Sequence, residues 1–221
     1  MLNKIQFQSD FYKPILWRNI IESGFEAVES DLKNISIIGQ NNIIISLKKY
    51  SENGEILAHG NGFYSKILLN NLSVIDCNNL NILDIYLYSC SDSAILNKKE
   101  LSSDFYNSFV FTVLKNSYSS LKTIFVYTYE HLKSRKIENI VLVKKELIQN
   151  QLSEIVIDFS ILDHLFISKN SDDKNQAIMS RLILTADRLT KLSGARAMLD
   201  NNIASLMFHF KLFEKLFIQV N

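Results

Sequence analysis

The clearest hydrophobic pattern lies in the carboxy-terminal half of the chain, where apolar residues recur at the three- and four-residue intervals of a helix face. The first helix is predicted to begin at Ser103, which suits an N-cap, and to run to about Ser134. A second helix follows, then a third that breaks near Gly194, and then a fourth. These helices predict an antiparallel four-helix bundle over residues 101–221. Their apolar faces comprise Phe105, Phe109, Val113, Leu121, Phe125 and Leu132; Ile148, Leu152, Ile155, Phe159, Leu162 and Phe166; Ile178, Leu182, Ala186 and Leu189; and Ile203, Leu206, Phe210, Phe213, Phe217 and Val220.

The amino-terminal part has a less definite pattern. Residues 10–23 are predicted to form a short amphipathic helix, because their apolar residues return at helical intervals and Gly24 can end it. Residues 35–70 fit two descriptions: two or three helices, which we favour, or a hairpin at the Asn-Gly pair of "ENGE". Residues 72–96 are β-branched and aromatic, with "DIYLY" as the best strand candidate.

These patterns together predict a mainly α protein with three segments. Residues 1–71 form an amino-terminal helical segment, residues 72–100 a connector with a very reduced β segment, and residues 101–221 the bundle. One proline and six glycines agree with long helices, since both residue types interrupt them.

Composition excludes several classes of function. With 24 basic and 23 acidic residues, the net charge is +1, which predicts neither nucleic-acid nor anionic-membrane binding. The spacing of Cys77 and Cys90 is not that of metal ligands, so we expect reduced thiols in a cytoplasmic protein and no metal site. The amino terminus lacks the features of a secretory signal, and no apolar run approaches a membrane span.

The last helix predicts an assembly. Residues 203–220 are apolar on more than one side, and helices of that kind are usually buried against a partner. We therefore expect a homo- or hetero-oligomer through the carboxy-terminal helices, which Phe210→Asp should dissociate.

The chain contains no motif for hydrolase, nucleotide or zinc chemistry. "HGNG" at residues 59–62 is interpreted as a turn. Asp163 and His164 are neighbours on a helix, so their side chains point to different faces and do not predict an acid–base pair. No catalytic residue can be assigned from motifs.

Several short stretches resemble motifs of the acyl-CoA dehydrogenase family. "HLKSRKIEN" is similar to the end of the family's "Y-A-x-x-R-x-x-F-G" helix, and "ELIQNQLSEI" to its "Q-x-I-Q-x-x-L-A-E-M" helix, with no gap between them. "KLSGARA" loosely resembles a "Q-I-x-G-G-x-G" motif. "ILWRNIIESGF" is similar to the family's early "LWxxLAExGL", and "SCSDSAIL" lies where the family has a turn before its bundle.

This resemblance implies FAD binding and α,β-dehydrogenation of an acyl thioester. It places Arg135 where the family's arginine reaches the FAD pyrophosphate of a neighbouring subunit, and guanidinium binds phosphate through paired hydrogen bonds. Glu146 and Gly194 occupy two further cofactor positions. Glu138 and Asn139 replace the Phe-Gly of the first motif, which puts a carboxylate near the expected pyrophosphate.

No carboxylate stands where the family resemblance would place a catalytic base. The region where some members carry a carboxylate holds Tyr118, Ser119 and Ser120, and the chain ends before the segment where others hold a glutamate. Because abstraction of an α-proton needs a base within hydrogen-bond reach, no base can be named.

Three functional hypotheses follow. The first is a catalytically degenerate acyl-CoA dehydrogenase-like protein, acting as a partner or accessory subunit of a flavin-dependent acyl-thioester dehydrogenase and sharing its FAD. The second is an active FAD-dependent dehydrogenase subunit that acts on acyl-CoA or acyl-carrier-protein thioesters. The third is an unrelated helical interaction or structural protein.

Overall fold

The computed structural model describes residues 17–26, 35–47, 54–60, 63–76, 85–95, 99–100, 105–168, 172–194 and 203–218. Five α-helices are found in this part of the chain: α1 (Trp17–Glu26), α2 (Phe105–Ser134), α3 (Glu146–Ile167), α4 (Asp172–Ser193) and α5 (Ile203–Phe213). A π-helical turn, Glu214–Ile218, continues α5. The strands are β1 (Ile35–Ile38), β2 (Ile43–Leu47), β3 (Glu55–Gly60), β4 (Phe63–Leu68), β5 (Leu72–Ile75), β6 (Ile85–Cys90), β7 (Lys99–Glu100), β8 (Lys136–Ile137) and β9 (Ile140–Val141).

The first seven strands form one sheet in the order β5-β6-β2-β1-β3-β4-β7. All neighbours are antiparallel except β1 and β3, which run parallel. The prediction of helices over residues 35–70 is therefore wrong, and so is the prediction of a very reduced β segment. The segment boundaries at residues 71 and 100 stay predictions.

The spacing of apolar residues over 35–70 resembled that of a helix because both faces of the sheet are covered. Ile45 and Leu47 of β2 belong to the core shared with the helices, whereas Ile44, directly before Ile45, belongs to a second core on the other face. A strand that is buried on both faces is apolar throughout, and it does not show the alternation that distinguishes a strand from a helix. The alternative of a hairpin at "ENGE" is also wrong, because β1 lies between β2 and β3, the strands that flank it, although Gly54 has φ 74° and β3 begins directly after it.

Helices α2, α3 and α4 pack side by side. Phe111 of α2 contacts Phe166 of α3, and Phe125 contacts Phe159, with ring centroids 5.7 and 5.5 Å apart, so these two helices run in opposite directions. α4 contacts α2, α3 and α5. The central residues of the predicted α3 face are buried: Leu152, Ile155, Phe159 and Leu162. The closed antiparallel four-helix bundle itself stays a prediction.

Helix α1 packs on α2 through a glycine. The prediction that Gly24 ends this helix is wrong, because α1 continues to Glu26. A Cβ atom at Gly24 would lie 2.8 Å from Cγ2 of Val113 and 2.9 Å from Cδ2 of Phe109. The glycine therefore permits close approach of the two helices. Residues 10–16 of the predicted helix lie outside the described part.

The carboxy-terminal helix is part of the chain's own core. Phe210 and Phe213 are fully buried, and Leu216 and Phe217 of the π-helical turn are nearly so, whereas Phe208 is half exposed. Apart from Phe208, these side chains are thus buried within one chain and are not the exposed apolar surface from which a partner helix was expected. The oligomer stays a prediction, and Phe210→Asp is expected to unfold the chain rather than dissociate an assembly.

The π-helical turn contacts the turn between β1 and β2. A Cβ atom at Gly39 would overlap the carbonyl oxygen of Leu216 and lie 3.0 Å from the Phe217 ring. Tyr106 of α2 also donates a hydrogen bond of 2.9 Å to the Phe217 carbonyl. Burial raises the pKa of Tyr106 to about 12, so this hydroxyl stays a neutral donor.

Candidate functional site

The three cofactor-binding residues predicted from the sequence lie at helix ends. Arg135 directly follows α2, Glu146 is the first residue of α3, and Gly194 directly follows α4. Thr128 of α2 and Ser193 of α4 have their hydroxyl oxygens 3.2 Å apart, which puts the carboxy-terminal ends of these two helices side by side. Because α3 starts where the α2–α3 connection ends, all three residues occupy one end of the helices.

Arg135 lies at the base of a β-hairpin that the sequence did not predict. β8 and β9 pair around Glu138 and Asn139, whose φ angles of 53° and 62° define a two-residue turn of type I′. The backbone N–H of Leu142 donates to the carbonyl of Arg135 at 2.9 Å and continues the pairing. The hairpin therefore fixes the backbone from which the exposed Arg135 side chain projects.

Among the described residues, no carboxylate forms an ion pair with the guanidinium of Arg135. Glu138, whose carboxylate was expected to interfere here, pairs instead with Lys145 at 3.4 Å. The guanidinium groups of Arg181 and Arg188 are different, because both pair with the buried Asp158. Arg135 can thus bind an external anion without breaking an ion pair.

Glu146 and Gly194 contribute less to such a site. Glu146 is exposed in the first turn of α3, where a carboxylate interacts favourably with the helix dipole but repels phosphate. Gly194 has φ 58°, and a Cβ atom at its position would meet nothing within 4 Å. It therefore ends α4 as predicted, and its backbone is open to approach.

A polar cluster that the sequence did not predict joins α2 to α3. The Tyr118 hydroxyl donates to Oδ1 of Asp163 at 2.6 Å, and Lys122 Nζ lies 3.2 Å from the same oxygen and 4.3 Å from the centre of the Tyr118 ring. Tyr118 and Lys122 lie one turn apart on α2, which was a usable signal, but the sequence gives no sign of their contact with Asp163.

The pKa shifts in this cluster follow from its geometry. Burial and the bond to Asp163 raise the pKa of the Tyr118 hydroxyl, so it remains a neutral donor. The hydrogen bond from Tyr118, and then that from Lys122, lower the pKa of Asp163. A carboxylate that already accepts two hydrogen bonds is a weak base, so the cluster is suited to joining helices rather than to removing a proton.

Other chemical centres are few. In the described ranges there is no group of three His, Cys, Asp or Glu residues that could hold a metal ion, and no helix long and apolar enough to cross a membrane. His59 of "HGNG" is buried in β3, where burial lowers its pKa, and Gly60 pairs with Phe63 of β4. Residues 61–62, on which the turn interpretation depends, lie outside the described residues.

Comparison with solved structures identifies the fold. The acyl-CoA dehydrogenase from Geobacillus kaustophilus matches with a TM-score of 0.55 and 9% identity over 83% of this chain and 60% of that chain. A glutaryl-CoA dehydrogenase from Mycobacterium smegmatis in complex with FADH2 matches with a TM-score of 0.53 and 12% identity over 84% of this chain. The chain has an acyl-CoA dehydrogenase-like fold.

A third example of this fold is the butyryl-CoA dehydrogenase from Megasphaera elsdenii, which matches with a TM-score of 0.52 and 9% identity over 82% of this chain. The acyl-CoA dehydrogenase-like chain spans between 57% and 60% of the length of these three enzymes. No protein-family model and no curated protein sequence matches it. The family resemblance seen in the motifs is therefore confirmed at the level of the fold.

Proposed function

We propose that this chain is a catalytically degenerate acyl-CoA dehydrogenase-like protein that serves as a partner subunit of a flavin-dependent acyl-thioester dehydrogenase. The observation that carries the proposal is the Arg135 guanidinium, which is exposed and has no carboxylate partner among the described residues. It stands at the position where the family resemblance implies contact with a neighbour's pyrophosphate.

The chemistry of the site suits a shared flavin better than a flavin held by this chain alone. Arg135 fits a pyrophosphate because its planar guanidinium can donate two parallel hydrogen bonds to phosphate oxygens. Gly194 leaves backbone open nearby, whereas the Glu146 carboxylate suits only an uncharged part of the cofactor. When bound, FAD supplies the two-electron oxidation of the acyl thioester. The other contacts would come from the partner.

Loss of catalysis is supported by the lack of a suitable base near Tyr118 among the residues that the structure describes. The carboxylate beside it, Asp163, has a lowered pKa and is engaged by both Tyr118 and Lys122. α-Proton abstraction needs a base whose pKa is close to the working pH and whose oxygen is available to the substrate.

The proposed scaffold is an antiparallel four-helix bundle of α2–α5 in a cytoplasmic protein. Its support is the opposite direction of α2 and α3, the pairing of Asp158 with Arg181 across α3 and α4, and the contact of Phe109 with Phe213 across α2 and α5.

The test is the flavin content of the purified protein. The chain alone should be colourless and should not reduce an artificial electron acceptor with acyl thioesters. Co-purified with a full-length flavin dehydrogenase from a neighbouring open reading frame, it should form a yellow complex whose flavin content falls in Arg135→Gln. Lys136→Gln, which removes the adjacent exposed cation, is the matched control and should leave the flavin in place. Stoichiometric flavin or dehydrogenase activity in the lone chain would overturn the proposal.

A further inference from the structure

An open apolar groove runs between α2 and α3. It is about 470 Å³ in volume. Its rim is formed by Val156 and Ile157, which are 50% and 58% exposed. Tyr129 lies six residues before Arg135, so the groove ends about 9 Å from the hairpin. The full lining is Phe125, Tyr129, Leu152, Ser153, Val156 and Ile157.

The hairpin adds an apolar and cationic face at that end. Ile137 and Ile140 are directly opposite in the β8–β9 ladder, which puts their side chains on the same face, and they are 49% and 47% exposed. Strand alternation places Arg135, two residues before Ile137, on this face as well. We call the groove lining together with Arg135, Ile137 and Ile140 the α2–α3 surface.

The unpaired charge at this end is positive. Arg135, Lys136 and Lys144 are exposed, and none of them forms an ion pair within the described ranges. Of the three acidic groups at this end, Glu130 pairs with Lys133 and Glu138 with Lys145, and Glu146 is exposed without an ion pair in the described ranges. The three unpaired cations therefore outnumber the one unpaired carboxylate. A partner that covers this end must therefore bring its own negative charge.

The shape of the groove favours a protein segment over a small ligand. Small-molecule sites enclose most of their ligand and converge several polar groups on it. Here the polar lining consists of the Ser153 side chain and the Tyr129 hydroxyl, and the rim residues spread outward into solvent. A groove between two antiparallel helices matches the ridge of a third helix.

We propose that the α2–α3 surface docks one amphipathic helix of the partner subunit, with an apolar stripe in the groove and acidic residues facing Arg135 and Lys144. This rests on the proposed partner role and adds the chemistry of the contact. Ile137 and Ile140 would cover the end of the apolar stripe, and the cations would fix the register of the helix.

The experiment uses the full chain and two labelled helical peptides with the same leucine stripe, one with glutamate and one with lysine on its polar flanks. Fluorescence anisotropy should show the acidic peptide binding at least ~10-fold more tightly than the basic one. Ile157→Asp should weaken binding of the acidic peptide by ~10-fold or more. Ile167→Asp is the matched control, because Ile167 is 83% exposed at the far end of the same helix, and it should change binding by less than about twofold.

Arg135→Gln should reduce the difference in affinity between the acidic and the basic peptide without abolishing binding of the acidic one. Equal affinities for the two peptides, or unchanged binding in Ile157→Asp, would overturn the proposal. Binding of decanoic acid with no binding of either peptide would also overturn it and assign the groove to an acyl chain. If the acidic peptide binds as expected but the lone chain carries flavin, then the docking surface stands and the proposed degenerate role fails.

Discussion

Asp158 of α3 and Arg188 of α4 form an ion pair in which Oδ2 and Nη1 are 2.5 Å apart and the carboxylate is 1% exposed. Arg181 adds a second pair to the other carboxylate oxygen at 2.9 Å. Loss of this carboxylate leaves Arg181 without an ion-pair partner and leaves Arg188 with only the more exposed Glu154, 3.3 Å away, so Asp158→Asn should lower the free energy of unfolding by about 3 kcal/mol. This figure is at the lower end of the range for buried pairs because the arginines are about one third exposed.

Urea unfolding measures this change. Asp187→Asn is the matched control, because it removes an exposed pair with Lys191 on α4 and should cost under ~1 kcal/mol. Equal losses in the two variants would contradict the assignment of Asp158 as the main ionic link between α3 and α4.

The Tyr118–Asp163 bond predicts a pH dependence of stability. The folded state lowers the pKa of Asp163 from 3.8, so its contribution is complete above that pH and is lost as the pH falls through the lowered value. Asp163→Asn should therefore reduce the free energy of unfolding at neutral pH by under ~1 kcal/mol, since the group is exposed. The difference between the variant and the unaltered protein should become smaller as the pH falls below 3.8. Chemical denaturation at several pH values tests this. A constant deficit at all pH values would refute it, and Tyr118→Phe should shift the dependence in the same direction.

The hairpin turn predicts a stabilising substitution. Glu138 and Asn139 both have positive φ, a conformation that Asn-Gly adopts at lower cost. Changing the pair to Asn-Gly should stabilise the protein by about 1 kcal/mol, or roughly 2–4 °C in Tm for a chain of this size. Differential scanning calorimetry measures the shift. Glu138→Gln is the control for loss of the exposed pair with Lys145 and should leave Tm nearly unchanged.

The Gly24 contact predicts a destabilising substitution with a rescue. Gly24→Ala puts a methyl group into the side chains of Val113 and Phe109 and should cost about 1–3 kcal/mol. Val113→Ala removes the nearer neighbour, so the double variant should lose less than the sum of the two single variants. Strict additivity in a double-mutant cycle would show that α1 does not pack on α2 through this glycine.

The proposed flavin contact predicts that lysine cannot replace arginine. Arg135→Lys keeps the charge but loses the paired donors, so flavin affinity of the complex with the partner dehydrogenase should fall about tenfold, or roughly 1.4 kcal/mol. Flavin release on dilution, followed by fluorescence, gives the value. If the Arg135→Lys complex retains as much flavin as the unaltered complex, then charge alone matters at this position.

The sequence was sufficient where structure is local. The end of α2 at Ser134 and the break at Gly194 could both be predicted, because the helical spacing of apolar residues stops at these points. It was insufficient where burial depends on distant elements: Ile44 and Leu47 lie on opposite faces of a doubly covered sheet, so their spacing imitates a helix. The Tyr118–Asp163 bond is also invisible locally, because it depends on how α2 and α3 are aligned.

The contact between Gly39 and Leu216 constrains the order of folding. The two residues come from opposite ends of the described chain, and their backbones meet where the sheet adjoins the last helical turn. A growing polypeptide emerges from the ribosome amino terminus first, so β1 and β2 are synthesised long before the segment that covers their turn. The main core can therefore close only after the π-helical turn has been synthesised, and until then the apolar face of this strand pair is exposed to chaperones or to aggregation.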